Sequence, residues 1–187
     1  MHKDIESAFV ALLAKNIILL EGKVCGDMVM RVYKSLVMLE ARGSPDIEIR
    51  IFTGGGSVRA GLDIYDALRR YTGKKTGVVY AYARSMGAII LQACEDRVCL
   101  EHATVLIHHV NTQEISLDVI EDPKRFAKLR ESMWTDQKAL YAILVKRTGK
   151  REKEIRDTCK KDQDMGAEEA LKFGLIDRIE KGEEIKK

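Results

Sequence analysis

Apolar residues recur along the chain with two different periods, and together they predict alternating strands and helices. Helical spacing of apolar side chains marks residues 4–15 and 27–41. Short apolar runs at 16–21, 47–52 and 77–83 are typical of buried strands. Because strands and helices of this length alternate, the pattern predicts an α/β fold with a largely parallel sheet.

The second half of the chain continues this alternation, and Pro123 and Gly149 mark the start and the end of its longest helix. The remaining predicted elements are helices at 62–71, after residue 85, and at 122–147, 152–161 and 167–173, with strands at 97–100, 104–108 and 175–179. A charged tail at 180–187 is expected to fray. No repeat or linker interrupts the pattern, so we expect a single domain over residues 1–187.

Composition excludes several classes of function. The 187 residues are 45% hydrophobic, which is enough for a substantial core. Lys and Arg number 32 against 29 Asp and Glu, so no chain-wide basic field points to nucleic acid. No apolar run approaches the roughly 20 residues of a membrane span, and we expect a soluble, cytoplasmic protein. Cys25, Cys94, Cys99 and Cys159 have neither CxxC nor metal-ligand spacing, so we expect buried thiols and neither a metal nor another cofactor.

Ser85 is the candidate nucleophile, because it lies between the predicted strand 77–83 and a predicted helix. A serine there projects from a tight turn, and the backbone N–H of Met86 points to where an oxyanion would form. Peptide hydrolysis needs both an activated nucleophile and fixed donors for that oxyanion. An ordinary helix cap is the alternative, since serine is a favoured N-cap residue.

Three glycines, residues 54–56, follow the predicted strand 47–52. Without side chains, their peptide N–H groups can approach a ligand oxygen closely, and we take Gly56 as the second oxyanion donor. A flexible turn is the alternative.

His108 ends an apolar, β-rich run, where its imidazole could serve as base and then as acid. On a strand, His109 would face the opposite side, so at most one of the two would serve the site. A structural histidine is the alternative for either. Asp162 follows the predicted helix 152–161 and could hold the imidazole tautomer, although Asp157 and Asp164 compete for this role.

Together these segments resemble the ClpP family, the proteolytic subunits of Clp proteases. The matching segments are TGGGSV at 53–58 with GLDIYD at 61–66, ARSMGA at 83–88, LIHH at 106–109, and TG, DT, D, EA and GLID between 148 and 177. The resemblance implies a catalytic triad of Ser85, His108 and Asp162, with Gly56 and Met86 as the oxyanion hole. It also implies a crotonase-like fold of stacked βαβ units with a long protruding helix. Homo-oligomeric, paired heptameric rings would then enclose a chamber in which peptides and unfolded proteins are cut.

The sequence also departs from the ClpP pattern. Gly54 and Val110 replace family prolines, and Arg84 replaces the small residue before the nucleophile; its guanidinium could pair with another subunit or with an acidic substrate. The segment 111–122 lacks the family's glycines, so the expectation that a peptide binds there as an added strand is less secure than the triad. Residues 1–3 are too few for the family's axial loop, so an AAA+ ATPase partner is in doubt and short peptides are expected to be cleaved without ATP.

Three other functions fit parts of the pattern. A crotonase-type acyl-CoA enzyme would use a similar glycine-rich oxyanion hole, but it has no required role for the serine, histidine and aspartate. A non-catalytic ClpP-like scaffold subunit would typically lack triad residues. A signal-peptide peptidase relative would normally carry a Ser-Lys dyad and a membrane anchor.

Overall fold

The structure is a computed structural model that describes residues 2–112 and 114–181, with side chains from residue 8 onward. The helices are α1 (His2–Ala14), α2 (Gly26–Glu40), α3 (Val58–Arg70), α4 (Met86–Leu91), α5 (Leu117–Glu121), α6 (Pro123–Thr148), α7 (Glu152–Lys161) and α8 (Ala167–Phe173). The strands are β1 (Ile17–Val24), β2 (Ile47–Gly56), β3 (Lys75–Arg84), β4 (Asp96–Leu100), β5 (Thr104–Leu106), β6 (Met165–Gly166) and β7 (Arg178–Glu180). Most of the predicted tail at 180–187 lies outside the described residues.

A parallel sheet in the order β1-β2-β3-β4-β7 forms the centre of the molecule. Helices α2, α3 and α4 connect successive strands β1 to β4, which gives stacked βαβ units, as parallel neighbours require. The predicted α/β architecture, its parallel sheet and the long helix α6 are therefore confirmed.

Strand β3 changes its partner along its length. Its first half pairs with β4, from Thr76 to Val79, whereas its end pairs with β5, from Tyr82 to Arg84. The short strand β6 pairs antiparallel with the far side of β5. Three strands thus lie side by side where β3 gives way to α4.

The core follows the predicted periodicities. The buried residues of α2 are spaced by three or four positions, at Met28, Val32, Leu36 and Leu39. Alternate residues of β2 are buried from Ile47 to Gly55. Among the cysteines, Cys94, Cys99 and Cys159 are buried as predicted, whereas Cys25 is only partly buried. Burial raises the pKa of the Cys94 thiol to about 12, so this thiol stays protonated.

Several boundaries differ from the sequence predictions. The strand predicted at 16–21 continues past Gly22 to Val24 as β1. Strand β2 continues through the three glycines to Gly56, and α3 begins at Val58 directly after it. The short helix α5 was not predicted. Strand β5 ends at Leu106, so His108 follows the strand instead of ending it. Leu175 is buried but belongs to the turn that ends α8, where its N–H donates to the Ala170 carbonyl; the last strand starts only at Arg178.

No helix in the described part of the chain is both long enough and apolar enough to cross a membrane.

A buried guanidinium joins the C-terminal segment to the sheet. Arg97 binds both carboxylate oxygens of Asp177 and also donates to Gln92 Oε1 and the Gly174 carbonyl. Burial alone would raise the pKa of Asp177, but hydrogen bonds and the charge of Arg97 outweigh it and lower that pKa. The ionised form of Asp177 therefore stabilises the folded state.

We expect Asp177→Asn to lower the free energy of unfolding by about 2 kcal/mol at neutral pH, because Arg97 loses its counter-charge while buried. The folded-state pKa of Asp177 lies below its ordinary value of 3.8. The difference in unfolding free energy between wild type and Asp177→Asn should thus be full at pH values above 3.8. It should vanish as the pH falls through the lowered pKa. Urea unfolding followed by circular dichroism across this pH range measures the difference.

Asp96→Asn is the matched control, since Asp96 pairs with the more exposed Arg178. It should cost less than about 1 kcal/mol. An equal cost for both variants, or a cost at Asp177 that does not change with pH, would contradict the role given to Asp177.

Candidate functional site

Ser85 occupies a strained turn between β3 and α4. Its backbone has φ 53° and ψ −120°, a conformation that costs a non-glycine residue about 1–3 kcal/mol. Its N–H donates to the Leu106 carbonyl at 2.9 Å, which fixes the turn against the end of β5. The Ser85 side chain makes no capping hydrogen bond to α4, unlike Ser57, whose Oγ accepts from the Ala60 N–H. Its hydroxyl is therefore not used as an ordinary helix cap.

The middle glycine lets β2 pack directly against this turn. Gly55 has φ 93°, and a Cβ at this position would lie 2.6 Å from Ser85 Cβ and 2.9 Å from the Arg84 carbonyl oxygen. Its N–H donates to Thr53 Oγ1 at 3.1 Å, and that hydroxyl in turn donates to the Gly22 carbonyl. The glycine segment is therefore an ordered strand end rather than a flexible turn.

A small cleft of about 40 Å³ brings together most of the predicted site residues. It is lined by Gly56, Ser85, Met86 and His108. As the first residue of α4, Met86 has an N–H with no acceptor inside the helix. The apolar part of the cleft wall is formed by Val58, Ile89, Ile107, Leu140 and Leu144.

His108 has a backbone acceptor beside one of its ring nitrogens. His108 Nδ1 lies 2.6 Å from the His109 carbonyl oxygen. A carbonyl oxygen can only accept, so this contact is a hydrogen bond when Nδ1 carries the proton, which leaves the Nε2 lone pair free. Within the described residues, His108 has no hydrogen bond to Ser85 or to Asp162. A neutral imidazole with a free Nε2 is the form that a general base requires.

The expectation that His109 faces away from His108 is wrong, because the two residues follow β5 and no strand alternation applies to them. Both are half-buried and both line the cleft. Burial, followed by the charges of Lys160, Arg156 and His108, lowers the pKa of His109. His109 is therefore held neutral, and its ring lies 6.2 Å from that of Tyr141 in an edge-on arrangement.

The three candidate carboxylates lie in different surroundings. Asp164 is bound by Arg84, and Asp157 lies 3.7 Å from Lys160 Nζ. Asp162 ends α7 in the left-handed conformation, with φ 47°; it is exposed and does not line the cleft. The fold therefore brings Ser85, His108, Gly56 and Met86 together, and it places Asp162 outside this group.

Arg84 pairs within its own chain. Its Nε and Nη2 donate to the two carboxylate oxygens of Asp164 at 2.8 Å and 2.5 Å, and its guanidinium lies 4.9 Å from the Tyr82 ring centre. Hydrogen bonding to Asp164 raises the pKa of Arg84. The guanidinium is thus already neutralised before any other subunit or an acidic substrate could reach it.

Gln137 also lines the cleft, although the sequence pattern does not single it out. Its Oε1 accepts from the Val110 N–H at 2.6 Å and so holds the segment after His108 against α6. Gln137 shares the buried stripe of α6 with Leu140, Tyr141 and Leu144. The signal available in the sequence was the helical spacing of Gln137 from the apolar residues of this stripe.

A wider groove of about 420 Å³ adjoins the cleft. His109, Val110 and Gln137 line both, and the groove continues between α6 and α7. Its other lining residues are largely apolar: Ile115, Phe126, Leu129, Met133, Trp134 and Tyr141, with Arg130 and Arg156 at its sides.

We expect Gly55→Ala to slow the labelling of Ser85 by a fluorophosphonate by roughly 100-fold, because the added methyl group must displace the Ser85 turn. Gly54→Ala is the matched control, since a Cβ there meets nothing within 4 Å, and its labelling rate should stay within about two-fold of wild type. Intact-protein mass spectrometry measures both rates. Equal rates for the two variants would show that the contact does not set the position of Ser85.

The comparison with known families agrees with this geometry. A family model described as Clp protease matches residues 2–183, which include every element from α1 to β7. Together with the α/β architecture, the seven-stranded sheet and the long helix α6, this match confirms the predicted ClpP-like fold. The chain belongs to the Clp protease family.

Proposed function

We propose that the chain is one peptidase domain, a serine endopeptidase that cleaves peptides or unfolded proteins inside an oligomeric chamber. The observation that carries the proposal is the shared cleft, which is lined by Ser85, whose hydroxyl makes no capping hydrogen bond, and by His108, whose Nδ1 faces the His109 carbonyl. Membership of the Clp protease family supports the same chemistry.

The reaction follows from these groups. The Nε2 of His108 takes the proton from Ser85 Oγ as that oxygen attacks the peptide carbonyl. The N–H groups of Gly56 and Met86 stabilise the oxyanion that forms. His108 then gives its proton to the leaving amine, and a water molecule activated by the same base hydrolyses the acyl-enzyme.

In this proposal the His109 carbonyl orients His108, and Asp162 contributes only its negative charge. The His109 carbonyl keeps the proton on Nδ1 without help from a side chain. Asp162, assigned by its match to the family motif, would add the negative charge that stabilises the imidazolium. Because the tautomer survives its removal, Asp162→Ala is expected to retain more activity than a Ser85 or His108 variant.

The adjoining groove supports a preference for substrates with large apolar side chains. Its walls are aromatic and aliphatic, and it opens into the cleft beside His109 and Val110. A peptide whose scissile bond lies at Ser85 could place an apolar side chain there, which removes apolar surface from water.

Exposed apolar side chains support assembly into homo-oligomeric rings. Met30, Tyr33, Val37 and Met38 lie on the outward face of α2, each 45–61% exposed. Such faces on an isolated subunit favour association with other copies.

We expect Ser85→Ala and His108→Ala each to abolish peptide cleavage while folding and assembly persist, because the nucleophile and its base act as one unit. His109→Ala should be mild, since the acceptor for His108 is a backbone carbonyl that the substitution keeps. Hydrolysis of fluorogenic peptides without ATP measures the rates. Ser35→Ala is the control, because that hydroxyl donates to the Arg31 carbonyl of its own helix α2.

Two results would contradict these assignments. Wild-type rates in the Ser85→Ala variant would exclude Ser85 as the nucleophile. A His109→Ala variant that loses activity, together with a His108→Ala variant that keeps it, would show that His109 is the base.

We expect sedimentation or light scattering to show a mass many times that of one subunit, in keeping with heptameric rings, single or paired. Met30→Glu with Val37→Glu should weaken the assembly, because charged groups would be buried at the interface. Arg59→Glu, at an exposed site on α3, is the control. A stable monomer of wild type at high concentration would refute the chamber.

A further inference from the structure

The Arg84–Asp164 ion pair joins the ends of the strands that carry the cleft. Arg84 is the last residue of β3 and directly precedes Ser85, whereas Asp164 directly precedes β6. Between them lies β5, whose Thr104 Oγ1 also donates to Asp164 Oδ1 at 3.2 Å. One carboxylate therefore receives hydrogen bonds from residues of both β3 and β5.

These strands carry the nucleophile and the base. Ser85 follows β3 by one residue, and His108 follows β5 by two. Their relative position depends on the last pairs of the β3–β5 ladder, Ala83 with Val105 and Arg84 with Leu106, and on the hydrogen bond from Ser85 N–H to the Leu106 carbonyl. The ion pair spans this short ladder from outside.

The strain at Ser85 makes such a restraint necessary. A positive φ at a serine persists only when the surrounding contacts hold it. Gly55 supports the turn from β2. On the other side, the Arg84 side chain reaches past β5 to Asp164 at the start of β6. Planar bidentate pairing fixes both the distance and the direction of the Arg84 guanidinium, and Tyr82 packs against it.

We propose that Arg84 and Asp164 are positioning residues, which hold the strained Ser85 turn at the distance and angle from His108 that the reaction needs. This inference rests on the proposed peptidase function for its kinetic consequence. Neither residue touches the reacting atoms; each acts through the strand ends. The pair is partly exposed, 42% for the Arg84 side chain and 33% for that of Asp164, so its contribution to overall stability is small.

The test compares Arg84→Ala, Asp164→Ala and the double variant with Arg178→Ala. The control breaks another Arg–Asp pair of the same sheet, that of Arg178 with Asp96, and neither of these residues lines the cleft. Each single variant of the proposed pair should lower kcat for a fluorogenic peptide by roughly ten-fold or more, with KM changed less than about two-fold. The double variant should be no slower than either single variant, because each single variant already breaks the Arg84–Asp164 interaction. Arg178→Ala should keep wild-type kcat.

Hydrogen exchange of the Ser85 amide, which donates to the Leu106 carbonyl, supplies a measurement that needs no catalysis. Arg84→Ala and Asp164→Ala should speed this exchange by roughly ten-fold, and Arg178→Ala should leave it unchanged. If exchange stays at the wild-type rate, the pair does not hold the turn and the inference is overturned. Faster exchange with wild-type kcat would overturn it as well.

The same data separate this inference from the proposed function. A wild-type protein that neither cleaves peptides nor reacts with a fluorophosphonate at Ser85 would refute the peptidase assignment. The exchange rates would then decide alone whether the pair holds the turn. Additive losses in the double variant would refute the pairing even in an active enzyme.

Discussion

The candidate site depends on one close contact, the approach of the Gly55 backbone to the turn at Ser85. Any side chain at residue 55 would meet Ser85 Cβ at 2.6 Å, so only glycine lets β2 and the start of α4 come this close. That approach sets Ser85 beside Gly56, the next residue of β2. Backbone packing thus places the proposed nucleophile and one proposed oxyanion donor next to each other.

The helical part of the fold follows largely from periodicity, since α2 buries Val32, Leu36 and Leu39 at helical spacing. The placement of Ser85 between strand and helix was predictable as well. The surroundings of His108 were not, because the apolar run ends in an irregular segment whose direction depends on Gln137 of a distant helix. The acceptor for His108 is a backbone carbonyl, and residue types give no signal for such a contact.

The pairing of charged side chains was also not predictable from the sequence. The sequence offers Asp157, Asp162 and Asp164 within eight residues and gives no basis in spacing alone for choosing among them. Folding separates them, because Asp164 reaches Arg84 across β5 whereas Asp157 stays beside Lys160 on its own helix. The unusual arginine before Ser85 is understandable only once this partner, eighty positions away, is known.

The segment between His108 and α6 has a consequence for how a substrate is held. Its described part belongs to no strand before helix α5, and a largely apolar groove lies against it. Main-chain pairing is indifferent to sequence, whereas side-chain grooves are not. A chamber built from such subunits would therefore select its cleavage points by residue type, and would leave behind long fragments from chains poor in those residues.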